Sequence, residues 1–533
     1  MVRIFHLISV GVFIVLAALA SVWPPILWSL VVLAPLYLLG LADSLQSRHA
    51  VKRNFPVIGH FRYLLEMIRP EINQYFIESD LDGRPFGRDQ RSVAYQRSKS
   101  VTETVPFGTQ RDVYLDGYEW INHSFAARHP TGPAPRVQIG AEQCAKPYDA
   151  SMLNISAMSF GSLSKTAIEA LSHGARIGGF YHNTGEGGVS PYHLDPGGDL
   201  VWQIGTGYFG CRSEDGTFHA ERFAECASHE HVKMIELKLS QGAKPGHGGI
   251  LPAAKITQEI AGIRGVVMGE DVISPPSHSA FGSPQEMLDF LDRLRELSGG
   301  KPIGLKLCIG NPAEFLGLCM AMSRSGQHPD FLSIDGGEGG TGAAPIEFSD
   351  SMGAPLTEGL SLAHNALVGF DLRDGIKIIA SGKIISGFQM AARLAGGADI
   401  CSSARGFMFA LGCIQARRCN SNHCPVGIAT QDKGLVRGLV VSDKATRVAD
   451  YQRNSVDAFR ELLGAAGLNH PDELTPWHIH RRVDQTQVRS YGEIYEVLER
   501  GELLSPPYPD NYREWMKRAS ANSFKVPMIP IED

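Results

Sequence analysis

Eight short apolar runs, each closed by a glycine-rich or polar turn and followed by a helical period, predict a (β/α)8 TIM barrel with insertions. The runs fall at 153–158, 179–182, 201–204, 234–239, 303–307, 331–334, 376–380 and 399–402. Eight is the number that closes a parallel barrel. The gaps after the fourth and sixth runs are long, which is where the insertions belong. A doubly wound sheet is the competing fold, but no GxGxxG opens a helix with an acidic residue about 20 positions on.

Reactive groups of such a barrel gather where the strands end. Here the ends read Ser159-Phe-Gly, Asn183-Thr-Gly-Glu-Gly-Gly, Gln203, Gln241-Gly-Ala-Lys-Pro-Gly, Lys306, Asp335-Gly-Gly-Glu-Gly-Gly-Thr-Gly, Ser381-Gly-Lys and Ser403-Ala-Arg-Gly. The last three are rich in Gly, Ser, Thr and basic residues, a composition suited to cradling phosphate with backbone N–H groups. Lys306 lies inside the apolar run Gly304-Leu-Lys-Leu, so it is a cation that needs an anion, such as a reduced flavin ring or a substrate carboxylate. The bland alternative is a lysine whose stem is buried while its head reaches solvent.

Beyond the eighth run, Cys413, Cys419 and Cys424 stand within twelve residues, with five residues in the first gap and four in the second. Thiolates at such spacing suit a soft metal or an iron–sulfur cluster. No fourth Cys lies in the loop, and His423, adjacent to Cys424, must point away from any centre that Cys424 binds. Three ligands favour a [3Fe–4S] cluster; three unrelated thiols are the alternative.

Upstream of the barrel, residues 4–23 and 26–42 are apolar and free of Asp, Glu, Lys and Arg. Each is about long enough to cross a hydrocarbon core of roughly 30 Å. Pro24-Pro25 sits where a transmembrane hairpin must turn, and Trp23 and Trp28 flank it. Arg3, Arg48, Lys52 and Arg53 at the outer ends place both on the cytoplasmic side of an inner or plasma membrane. A cleaved signal peptide is the rival reading. The predicted division is a hairpin over 1–45, a lead-in packing on the barrel over 46–149, the barrel with its cysteine loop over 150–435, and a helical extension over 436–533. Within the lead-in, 61–76 is amphipathic, 80–96 reads as a polar surface connection, and 130–135 as a Pro/Gly linker. The net charge of −6 gives no general argument for nucleic acid, and nine Cys in a large chain point to a reducing compartment rather than disulfides.

The motifs together resemble a known family. Ser156-Ala-Met-Ser-Phe-Gly-Ser162, Asn183-Thr-Gly-Glu-Gly-Gly188, Gln241-Gly-Ala-Lys-Pro-Gly246, Ser274-Pro-Pro, Gly339-Gly-Thr-Gly342 and the run from Cys413 to Gln431 are similar to the FMN-binding synthase domain of glutamate synthase, in its order, over roughly residues 150–435. The resemblance implies FMN and a [3Fe–4S] cluster held by the three cysteines. It implies that 2-iminoglutarate, formed from 2-oxoglutarate and ammonia, takes a hydride from reduced FMN to give L-glutamate. Lys244 and Gln241 then hold the 2-oxoglutarate carboxylates, and Glu186 stands near the incoming ammonia. Ala157, Met158, Ser159, Thr184, Gln203 and Lys306 are implied to contact the flavin, and Gly340, Thr341, Gly382 and Ser403 its phosphate.

Departures from the family pattern carry expectations of their own. Val2 stands where processed full-length members have a nucleophilic Cys, and little chain follows the barrel motifs, so the chain is not expected to release ammonia from glutamine. His247 replaces a Glu and Ser277 a Pro, which leaves the 2-oxoacid open. The nearest likeness is to short, membrane-anchored, stand-alone members. The electron donor is open between ferredoxin, a separate reductase subunit and a membrane carrier. The rival functions are a membrane-linked FMN 2-hydroxy acid or amino acid dehydrogenase and a cofactor-bearing electron-transfer subunit.

Overall fold

The computed structural model describes residues 1–101 and 103–526. The chain forms two compact units, Met1–Gly87 and Arg88–Asp533.

In the first unit, helix Val2–Ala20 is followed by a 3-10 segment, Pro24–Ser29, and helix Leu30–Leu45. Pro24 and Pro25 make the break, because neither has an N–H to donate and both fix φ at a value suited to a first helical turn. By length and composition, Val2–Ala20 and Pro24–Leu45 suffice to cross a membrane. The two helices meet at Gly40, where a Cβ would overlap the Phe5 ring. Asp43 is 5% exposed; its carboxylate accepts from the Val57 N–H at 3.0 Å and bonds His60 Nε2 at 2.9 Å. Helix Gly59–Ile72 covers much of the predicted amphipathic stretch.

The second unit is built on a closed barrel of eight parallel strands. They are β1 Leu153–Ile155, β2 His182–Asn183, β3 Leu200–Ile204, β4 Val232–Lys238, β5 Ile303–Leu307, β6 Phe331–Asp335, β7 Lys377–Ser381 and β8 Ile400–Ser403. Each strand pairs with its neighbour in sequence, and Cys401 beside Leu153 closes the ring. All eight overlap the predicted runs, the second by His182 alone, because a strand covered on both faces reads as a near-continuous hydrophobic stretch. Two boundaries differ for local reasons. The first run leaves the ladder after Ile155, where the Ser156 N–H donates to Ser403 O and the Met158 N–H to Asn183 O, each at 3.0 Å. The second starts late because Gly179, at φ +67°, ends helix Lys165–Gly178 in a left-handed turn.

The expected insertions are present. Between β4 and β5 lie a two-stranded hairpin (Ile250–Leu251 with Val272–Ile273), a 3-10 turn, Ala253–Lys255, and helix Gln258–Arg264, ahead of the barrel helix Pro284–Leu297. Between β6 and β7 lie Ile346–Ser351 and Leu356–Gly369.

The stretch read as a polar surface connection needs correction. Much of it forms helix Arg88–Ser98, in which Arg91, Ala94, Arg97 and Ser98 are buried. Arg97 is held by Glu103 at 2.9 Å, and the Asn454 side-chain amide donates to its carbonyl at 2.7 Å. A run of charges concealed this helix, since it buries Arg91 and Arg97 rather than an apolar stripe. Downstream, helix Val441–Ala465 opens the predicted extension and packs on Lys165–Gly178, so closely that a Cβ on Gly174 would meet Val448. Strand Ile479–Arg482 pairs on one side with Glu119–Ile121 and on the other with Val488–Ser490, joining lead-in and tail in one sheet.

Candidate active site

The charged end of β4 organises the site. Lys238 closes that strand, and its Nζ lies 3.0 Å from Glu186 Oε1 and donates to Gln241 Oε1 at 2.6 Å. With its oxygen so engaged, Gln241 turns its amide nitrogen to Thr341 Oγ1 at 3.1 Å. His278 Nε2 donates to the Lys238 carbonyl at 2.9 Å while its Nδ1 accepts from Tyr208 OH at 3.0 Å. Burial pushes His278 down to about 4, which keeps this ring neutral.

Glycines shape the space around Glu186. A Cβ at Gly249 would stand 2.4 Å from Glu186 Oε1, and one at Gly205 2.5 Å from Oε2. Burial raises this carboxyl, but Lys238, with Lys244 and Arg264 behind it, more than offsets that and holds it below the usual range. Glu186 is therefore ionised. Ser274, whose N–H donates to Gly249 O at 2.9 Å, carries a buried hydroxyl with no partner among the described residues.

Lys244 is 3% exposed and donates to the Ala343 carbonyl at 2.9 Å. Burial lowers it to about 8, with Glu186 opposing the shift. It forms no ion pair with a carboxylate within 4.0 Å among the described residues, so its charge is available to an anionic ligand. His247 turns its Nδ1 to Gly248 O at 2.9 Å and sets its ring edgewise to Phe348.

A second layer lies at the ends of β2 to β6. Glu236, 2% exposed, accepts from Asn183 at 2.8 Å, Gln203 at 2.6 Å and Ser333 at 2.5 Å. Lys306, expected to meet a ligand's anion, finds one in the chain. Its Nζ stands 3.5 Å from Asp335 Oδ2; burial lowers its pKa, but Asp335 and Glu236 more than compensate, so it stays charged. Thr184 Oγ1 accepts the Gln203 N–H at 3.1 Å. Ala157 is half-buried and Met158 buried, and Arg264 donates to Ser159 Oγ at 3.3 Å. Lys238, Lys244, Lys306 and Arg264 thus face Glu186, Glu236 and Asp335, leaving one positive charge in excess.

Around the last three strand ends lie the turns expected to hold a phosphate. Gly342 has open space where a side chain would stand, and Gly382 sits at φ +148°, a conformation that favours glycine. Gly340 and Thr341 lie in the same turn as Gly342. Ser403 differs from expectation in one respect: its hydroxyl already donates to Ile384 O at 2.6 Å.

The cysteine loop is fastened from several directions. Tyr95 OH donates to Cys413 O at 2.6 Å, and Lys255 Nζ to Cys419 O at 2.6 Å. Gln431 reaches back to Gly161 O at 3.1 Å and Leu163 O at 2.9 Å. Cys413 and Cys424 are buried and Cys419 half-buried. Burial pushes the Cys413 thiol up, and the Gln415 N–H and then Arg405 oppose that rise. Among the described residues no three His, Cys, Asp or Glu are gathered tightly enough for a single metal ion. In a cluster each thiolate binds a different iron, and three cysteines in one anchored loop are donors of the type such a cluster takes.

Residues 126–469 match the conserved region in glutamate synthase. The chain belongs to the glutamate synthase family. It is an oxidoreductase of that family's FMN-dependent kind. It is 38% identical over 526 residues to the glutamate synthase large subunit-like protein YerD of Bacillus subtilis, covering 91% of this chain and 99% of that one. To the archaeal glutamate synthase (NADPH) of Methanocaldococcus jannaschii it is 35% identical over 347 residues, 65% of this chain and 63% of that one. It therefore spans less than two thirds of the archaeal relative's length. A chimeric (S)-mandelate dehydrogenase structure aligns with 14% identity and a TM-score of 0.44, covering 74% of this chain and 98% of that one, a likeness too low to carry an argument.

Several residues of this glutamate synthase family site escaped the sequence reading. Lys238 and Glu236 lie inside the run 234–239, and a charge interrupting an apolar run is the signal that marked Lys306. Arg264, Tyr95 and Lys255 come from segments with no local signal of chemistry.

Proposed function

We propose that this chain reduces 2-iminoglutarate, formed from 2-oxoglutarate and ammonia, to L-glutamate. The observation that carries the reading is Lys244, a buried ammonium with no carboxylate partner within 4.0 Å among the described residues, set beside the Glu186–Lys238–Gln241 chain. Lys244 binds a carboxylate of the 2-oxoacid through a charge-assisted hydrogen bond. Gln241, fixed at both ends of its amide, orients that carboxylate without rotating itself. Glu186, ionised and enclosed by Gly205 and Gly249, takes a proton from the incoming ammonium. The resulting ammonia adds to the keto carbon, one of its protons passes to the new alkoxide, and the Glu186 carboxyl returns its proton to the departing hydroxyl, so that water leaves and the protonated imine remains.

FMN would be held by Met158, Thr184, Gln203 and Lys306 around its ring and by the Gly340–Gly342 turn, Gly382 and Ser403 at its phosphate; a [3Fe–4S] cluster would be held by Cys413, Cys419 and Cys424. Bound there, they would supply the hydride that the imine takes and the single electrons that restore the reduced flavin. The electron donor belongs to the class of ferredoxins or reductase subunits. We place Val2–Ala20 and Pro24–Leu45 in an inner or plasma membrane, with the rest of the chain on the cytoplasmic side, on the strength of their apolar length and the basic residues at their outer ends.

The test is anaerobic. Dithionite-reduced protein given 2-oxoglutarate and ammonium should reoxidise its flavin and release glutamate; neither event occurring would sink the reading. Cys419→Ser should abolish the cluster signal and slow reduction by a one-electron donor, while flavin stays bound.

A further inference from the structure

Arg405 opens the short helix Arg405–Leu411 after β8, and its guanidinium spans two loops. Nη2 donates to the Thr341 carbonyl at 2.7 Å, in the glycine turn after β6. Nη1 lies 3.3 Å from Met408 Sδ and 3.9 Å from Cys419 Sγ. Gly340 makes room for it, since a Cβ there would stand 2.9 Å from Arg405 Nε. Lys255, 3% exposed, approaches the same cysteine from the β4–β5 insertion, its Nζ shared between Cys419 O at 2.6 Å and Ser162 O at 3.0 Å.

Neither cation pairs with a carboxylate within 4.0 Å among the described residues. Elsewhere in the barrel, Lys238, Lys306 and Arg295 each have one, whereas Lys301 is held by the Ala227 and His229 carbonyls. Charge taken out of water needs a counter-charge. Here the groups in reach are the thiolates of the cysteine loop and whatever anionic centre they hold.

We propose that Arg405 and Lys255 form a cationic clamp on the Cys419 side of a three-cysteine iron–sulfur centre and raise its reduction potential; this rests on the cluster reading above. Reduction adds one negative charge to the centre. Two fixed cations beside one ligand stabilise the reduced state more than the oxidised one, and charge and hydrogen bonding around the sulfurs are what set such potentials. Arg405 is a positioning residue as well, because the same guanidinium ties the cysteine loop to Thr341, whose hydroxyl receives Gln241.

An EPR-monitored redox titration of the anaerobically purified full chain, with iron and FMN contents measured on the same samples, tests the clamp. Arg405→Gln and Lys255→Met should keep the cluster and lower its midpoint, each shifting the oxidised-to-reduced ratio about tenfold, or about 59 mV for a one-electron couple. Arg405→Lys should stay close to the wild type. If Arg405→Gln cannot hold the cluster, Lys255→Met carries the test by itself. Unmoved midpoints in variants that keep their iron overturn the clamp and leave the cluster reading standing. Loss of FMN from Arg405→Gln with an unmoved midpoint also overturns it, because the arginine would then serve the flavin phosphate. A wild type without iron removes the cluster reading and the clamp together.

Discussion

The substrate end of the barrel and the cysteine loop are held in place by opposite means. Around Glu186 the side chains hold one another: Lys238 takes the carboxylate and the Gln241 amide, and Glu236 gathers Asn183, Gln203 and Ser333. Around the cysteines the backbone is held instead, by Tyr95 at Cys413 O and Lys255 at Cys419 O. An ionised carboxylate needs side-chain partners to stay charged when it leaves water, and those partners also fix its position. In the cysteine loop the anchors are carbonyls, and the Arg405 guanidinium stands 3.9 Å from Cys419 Sγ. The two regions meet at Thr341, which accepts from Gln241 with its hydroxyl and from Arg405 with its carbonyl.

That contrast can be broken at one end without the other. Lys238→Met should have the largest effect, because it leaves Glu186 without its nearest cation; losing one partner of a buried pair costs roughly 3–5 kcal/mol. Thermal unfolding should show the loss, and the acid limb of the kcat profile should move to higher pH as the carboxyl rises, with iron content unchanged. A profile that stays in place would show that Lys238 does not govern Glu186. Lys244→Met should reduce kcat/KM for the 2-oxoacid by roughly 10²-fold or more, the scale of a lost buried charge contact, while the flavin and cluster spectra persist. Gly249→Ala should cost activity on the order of 1–3 kcal/mol by pushing a methyl into the carboxylate; wild-type turnover there would disprove the close fit.

Two smaller effects follow. Because burial lowers Lys244 to about 8 and its protonated form is the one that binds a carboxylate, affinity should be full below about pH 7. It should weaken as pH rises through 8, by roughly tenfold per unit beyond pH 9. Steady-state KM across pH 6.5–9.5 checks the sign, and a flat profile contradicts it. Tyr95→Phe should reverse the pattern of Lys238→Met, with about 0.5–1.5 kcal/mol lost. Iron should be released faster to a chelator, with the 2-oxoacid KM unmoved.

The barrel was legible because its strands are covered on both faces and end in turns that only glycine and small polar residues allow. Glu186, Gln241 and Lys244 were legible because their motifs stand at those ends. Lys238 and Glu236 share a strand with them but sit within an apolar run, and their meaning depends on what faces them across the barrel. Helix Arg88–Ser98 was hidden by its own charges. Its buried Arg97 finds a partner hundreds of residues away in Ser455, and no local pattern announces such a pairing. Arg405 was visible as part of a basic strand end, but its reach toward Cys419 depends on Gly340 in another loop.

The small sheet that joins lead-in and tail has a consequence for how the protein is made. Trp120 and Ile121 pair with His480 and Ile479, and Asn122 stands beside His480 across 358 residues of chain. At a synthesis rate of about 5–20 residues per second, the first strand waits roughly 20–70 s on the ribosome before its partner exists. Trp120 and the edge around it stay uncovered for that interval, while the barrel closes behind them. The nascent chain is therefore most open to mispairing at a segment that carries no chemistry at all.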